Sequence, residues 1–135
     1  MVEMIELGRD ECLALLQRGG VGRLAFLTPV GLRLVPLNYT TNPGVIAFRT
    51  TGDSELGRHG EGAEAVFEID EIDNESEQGW SVLAFGRLER PSEADEEWDI
   101  RGWRNPTPWS GEDRSFHLKL RWTGLTGRRL LATDG

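Results

Sequence analysis

The chain's 135 residues, 38% hydrophobic and 28% charged, suit one domain large enough to bury a core. Its 15 basic against 23 acidic residues leave a net charge of −8, which argues against a nucleic-acid partner, because that affinity comes from neutralised phosphates. No apolar run approaches the roughly 20 residues that span a bilayer, "MVEMIELGRDE" lacks the basic start of a signal peptide, and the lone Cys12 fits a reducing cytoplasm.

In chain order, "GRDECLALLQRGG" predicts a helix capped by Asp10, with Leu13 to Leu16 on its apolar side and Gly19 ending it. Cys12 falls in that apolar pattern and reads as a small buried hydrophobe. "GGVG" follows a helix and precedes a strand, the reverse of a dinucleotide loop, so helix termination is its use. "GRLAFLT" and "GLRLVPLNYT" read as strands joined at Pro29, and "NPG" reads as a type II turn leading into "VIAFRT". "SELGRHG" is a short helix or turn. "AEAVFEIDEI" alternates Ala63, Ala65, Phe67 and Ile69 on one face. "WSVLAFGRLER" is so continuously apolar that burial on both faces is expected. "SEADEEWDIRGW" predicts a helix capped by Ser92, and "FHLKLRWTGL" a sixth alternating strand. Six strands at hairpin spacing with two or three short helices predict a mainly β fold, a six-stranded antiparallel barrel.

The chemistry concentrates in "FRTTGDSEL". A phosphate needs fixed donors: Arg49 offers a guanidinium, and Thr50, Thr51 and Ser54 offer hydroxyls beside the start of a helix. Against this stand Asp53 and Glu55, and the plainer alternative that Asp53 or Ser54 only caps the helix. The histidines, His59 and His117, are far apart, and no Cys/His spacing suggests zinc. The acidic "EIDEIDNESE" reads as a solvated strand end, with a cation site as the alternative, and no metal ligands are assigned. No G-x-S-x-G elbow appears, and no catalytic residue is assigned. Trp80, Trp98, Trp103 and Trp109 either wall a pocket for a flat ligand or pack in loops and core.

Taken in order, "GRLAFLT…LRLVPLNYTTNPGVIAFRTTGDSEL…VFEIDEID…GWSVLAFGRLER…TGRR" resembles the small pyridoxamine 5′-phosphate oxidase-like family of flavin-binding split barrels, over roughly residues 10 to 130. The resemblance implies a single split-barrel domain over residues 1–135. It also implies a homodimer with FMN in grooves at its interface, and a flavin-dependent oxidoreductase acting on a small-molecule substrate. By position it implies that Val35, Pro36 and Asn38 edge the flavin ring. It gives the flavin phosphate to Arg49, Thr50 and Ser54, and a contact from the other subunit to Trp80 and Ser81. Trp109 is a further candidate from "PWSGEDR", and Arg114 a weaker one. Where family members often carry a basic residue after the position of Ser54, this chain has Glu55. The chain ends "GRRLLATDG" rather than in the Arg-Leu-x-Pro arm of the longer pyridoxamine phosphate oxidases, so vitamin B6 oxidation is not expected. A reductase using the deazaflavin F420, or a non-enzymatic flavin-binding module, are the alternatives on the same scaffold.

Overall fold

The computed structural model describes residues 2–92 and 116–132. The order is β1 (Val2–Glu6), α1 (Arg9–Leu16), β2 (Gly20–Thr28), β3 (Gly31–Asn42), β4 (Val45–Thr50), α2 (Glu55–His59), β5 (Glu64–Asp73), β6 (Gln78–Glu89) and β7 (Phe116–Ala132). The helix expected over 93–103 and the tryptophans Trp98, Trp103 and Trp109 lie outside the described residues, as does Arg114.

All the strands pair antiparallel, in the order β7-β4-β3-β2-β5-β6, and β6 returns to pair with β7. Six strands therefore close a barrel. The closing strand is split along one edge. It pairs with β4 from Phe116 to Arg121, then with β1 from Arg128 to Ala132. That seventh strand was not expected. All five residues of β1 are exposed, so the period-2 burial that betrays a strand is missing there.

The connections follow local chemistry. Gly44 has φ +79, as the third position of the type II turn requires. Gly19 and Gly20, at φ +73 and +110, carry the chain from α1 into β2. Asp10 does not cap α1: Gly8 holds the cap position without a side-chain bond, and Asp10 sits in the first turn, where its charge suits the helix dipole. Ser54 caps α2, accepting from Gly57 N at 3.0 Å.

The core is built from the inward residues of each strand: Leu24 and Phe26, Leu37 and Tyr39, Ile46 and Phe48, Ala65, Phe67 and Ile69, Val82 and Ala84, Leu118 and Leu120. On β5 the alternation is as expected. On β6 it is sharper than expected: Val82, Ala84 and Leu88 are buried while Leu83 and Phe85 stay half-exposed. Phe67 packs 4.8 Å from the Tyr39 ring and 5.1 Å from the Phe48 ring. Its ring lies so close to β2 that a Cβ at Gly22 would overlap it. Cys12 is fully buried between α1 and β7, where burial raises its thiol above the usual range.

Tyr39 ties the barrel to α1 by donating from its hydroxyl to the Leu16 carbonyl at 2.8 Å. Burial pushes its phenol from 10.0 up to about 12. The folded protein thus keeps a proton that the unfolded chain releases near pH 10. The stability this contributes is intact below that pH and is lost as pH rises to about 12. Tyr39→Phe should cost about 0.5–1.5 kcal/mol at neutral pH, for the lost hydrogen bond. Urea unfolding of both proteins from pH 9 to 12 should show the gap closing as the pH rises. A constant gap would refute the assignment.

Candidate functional site

Two regions gather the residues singled out in the sequence, and they sit far apart. The first is the corner where β4 runs into α2. Thr50, at the end of β4, is buried on the inner face and pairs in register with Phe116. Its Oγ1 lies 2.9 Å from Ser54 Oγ. Ser54 Oγ donates to Thr51 O at 2.7 Å. Since that uses the one serine proton, Thr50 is the donor in the pair. Both hydroxyl protons are therefore spent inside the corner.

Arg49 points the other way, because successive strand residues face opposite sides. It shares the outer face with His117, its register partner, and its Nε is buried. The corner therefore does not bring Arg49 and Thr50 together on one face.

The strand pairing brings in arginines that the sequence pattern did not single out. Arg33 sits on the inward side of β3, opposite Phe26. It grips Glu55, the first residue of α2, through Nε at 2.9 Å to Oε2 and 3.1 Å to Oε1, and its Nη1 donates to Leu32 O at 3.0 Å. Of its five N–H donors, one Nη1 and both Nη2 hydrogens remain uncommitted among the described residues. Arg90 stacks on Phe116, its guanidinium 3.8 Å from the ring centre. Neither Arg33 nor Arg90 is near "FRTTGDSEL" in sequence. Only the β3–β4, β4–β7 and β6–β7 pairings place them there.

β3 also carries the other ring candidates, split between its faces. Val35 turns inward against the core opposite Leu24, while Pro36 and Asn38 face out opposite Arg23 and Val21. The second region is the far end of β6. Trp80 pairs with Arg129 and Ser81 with Arg128 on β7. The Trp80 ring packs partly on the core under Arg18, whose guanidinium is 5.6 Å from the ring centre. His117, opposite Arg49, and Arg129, opposite Trp80, are twelve residues apart on β7, a path of about 40 Å.

The outer face is apolar along the β2–β3 hairpin. Leu32 is 72% and Leu34 67% exposed, and Leu27 and Val30 are exposed beside them. The surface continues into an open cavity of about 620 Å³, where Leu27, Leu32, Val66 and Phe85 meet the charged Arg87 and Arg121. Among the described residues no three His, Cys, Asp or Glu side chains are grouped to hold a metal ion. No helix among them is long and apolar enough to cross a membrane.

The same fold is found in known proteins. A family model described as Pyridoxamine 5′-phosphate oxidase matches residues 8–129. A solved structure of the FAD binding protein from Mycobacterium smegmatis is 27% identical at a TM-score of 0.77, covering 92% of this chain and 96% of that one. A FAD-binding protein from Mesorhizobium loti is 17% identical at a TM-score of 0.80, covering 98% and 100%. A heme binding protein from Mycobacterium smegmatis is 19% identical at a TM-score of 0.70, covering 86% of this chain and 51% of that one. The last two likenesses speak to the fold alone. No curated protein sequence matches the chain.

Proposed function

The chain belongs to the pyridoxamine 5′-phosphate oxidase family, and on that premise we propose that it is an oxidoreductase that binds a flavin between two copies of itself and acts on a small-molecule substrate in the cytoplasm. The observation that carries this is the placement of the two candidate regions at opposite ends of β7. The Arg49–Thr50 corner and the Trp80–Ser81 stretch of β6 pair with opposite ends of β7. They serve one ligand when the corner of one chain faces the Trp80 end of β6 of a second. The exposed leucines of the β2–β3 hairpin supply the apolar surface that such a pairing buries.

Of the corner's donors, Arg33 has N–H groups left for a flavin phosphate, and Arg49 stands on the other face of the sheet. The Glu55 carboxylate that would repel an anion is already held by Arg33. Thr50 and Ser54 keep the turn rigid, and Thr50 can reach a phosphate only by giving up its bond to Ser54. When bound, the flavin supplies hydride or electron transfer, and the chain's part is to orient it and shield it from water. Val35, Pro36 and Asn38 lie along the strand that would run beside the ring.

FMN is the smallest ligand that carries this phosphate. FAD, named for the Mycobacterium smegmatis and Mesorhizobium loti proteins, contains the same unit. Fluorescence titration of the full chain with FMN, FAD and the deazaflavin F420 tests the reading. Binding only of the deazaflavin would move the chain to a deazaflavin-dependent reductase. A bound flavin that neither reduced nicotinamide nor common oxidants can cycle would make it a binding module. Arg49→Ala should weaken FMN by about 1.5–3 kcal/mol, the value of a hydrogen bond to a charged group. An unchanged affinity would remove Arg49 from the phosphate site.

A further inference from the structure

The phosphate end of the proposed flavin site holds a competitor of its own, an assignment that rests on the flavin reading. Glu55 immediately follows the Ser54 cap, and both its oxygens lie on the Nε edge of Arg33. A carboxylate set on a guanidinium in this way uses the same planar recognition that a phosphate would use. Glu55 is thus an internal anion in the position where an external one would bind. The pair is loosely held: its side chains are 37% and 42% exposed, and ion pairs that reach solvent are screened and contribute little. A phosphate carries more charge than a carboxylate and can displace it. Arg33 is also anchored from the other side by the Leu32 carbonyl, so it stays in place when Glu55 lets go.

We infer that Glu55 is a built-in competitor for Arg33, which a phosphate-bearing ligand must displace and which sets how much the phosphate adds to flavin binding. The Arg33–Glu55 pair then works as a latch. Closed, it neutralises Arg33; opened by the ligand, it frees Arg33 for the phosphate and turns Glu55 to solvent.

The experiment is a fluorescence titration of the full chain with riboflavin, which lacks the phosphate, and with FMN. It uses the wild type, Glu55→Gln, Arg33→Gln and the double variant, each checked for an unchanged thermal unfolding midpoint. Glu55→Gln should tighten FMN by up to about fivefold, the scale of an exposed ion pair that no longer has to be broken, and leave riboflavin within about twofold. Arg33→Gln should weaken FMN, and in the double variant the gain from Glu55→Gln should vanish. A Glu55→Gln variant that binds FMN more weakly, or whose ratio of FMN to riboflavin affinity is unchanged, overturns the inference and leaves the flavin reading intact. A wild type and a Glu55→Gln variant that both fail to bind riboflavin, FMN and FAD overturn the flavin reading and this inference with it. A wild type that fails where Glu55→Gln binds FMN supports the latch in its strongest form.

Discussion

Truncating Phe67 to alanine is expected to lower the free energy of unfolding by about 3–5 kcal/mol, the range for removing a fully buried phenylalanine. The ring is 1% exposed and belongs to the main core of the barrel. It meets Tyr39 edge-on and Phe48 at a tilt, so its loss opens a cavity and also removes two aromatic contacts. The same ring fills the space that Gly22 leaves empty on β2, where a Cβ would overlap it. A double-mutant cycle makes this specific. Gly22→Ala alone should be strongly destabilising. In the Phe67→Ala background it should cost less, because the overlapping ring is gone, though some cost remains from the Glu68 carbonyl, 2.8 Å from the added carbon. Urea unfolding of the four proteins checks it. Additive costs would mean that Gly22 is required for the backbone and not for the ring.

Much of this core could be read from the sequence, because strands announce themselves by alternation. Ala65, Phe67 and Ile69 repeat every second residue, and burial follows the same beat. The Gly44 turn and the helix-to-strand order around Gly19 were legible for a related reason: each depends on one residue's allowed backbone angles. β1 was not legible, since its pairing with the end of β7 buries none of its side chains. The corner was half legible. Thr50 and Ser54 could be singled out as hydroxyls near a helix start. That they spend their protons on each other and on Thr51 is a matter of three-dimensional placement. Arg33 could not be found at all, because 22 positions separate it from Glu55 and only the pairing of β3 with β4 brings the two together. In the sequence, Glu55 counts as a charge against a phosphate. The cation that already answers it is visible only in the fold.

Leu34→Asp is expected to convert the proposed dimer into single chains and to abolish flavin binding, with no loss of stability in the fold. The argument joins two facts about one strand. Leu34 stands outward on β3, 67% exposed, opposite Ala25. Substitution at so open a position normally changes the stability of a folded chain by less than about 0.5 kcal/mol. Buried against a second copy, the new carboxylate would lose its water without gaining a partner, at a cost of several kcal/mol per ion. A two-fold interface repeats that cost on both sides. Flavin binding should fail together with dimerisation, because the β7 partners of Arg49 and Trp80, His117 and Arg129, are twelve residues apart along that strand. One chain alone cannot bring both to a single flavin. Sedimentation of the wild type and the variant, each with and without FMN, decides the matter. A wild-type single chain that carries flavin would place the whole site within one copy. A dimeric variant that still binds FMN would move the interface off the β2–β3 hairpin and leave the exposed leucines for another partner.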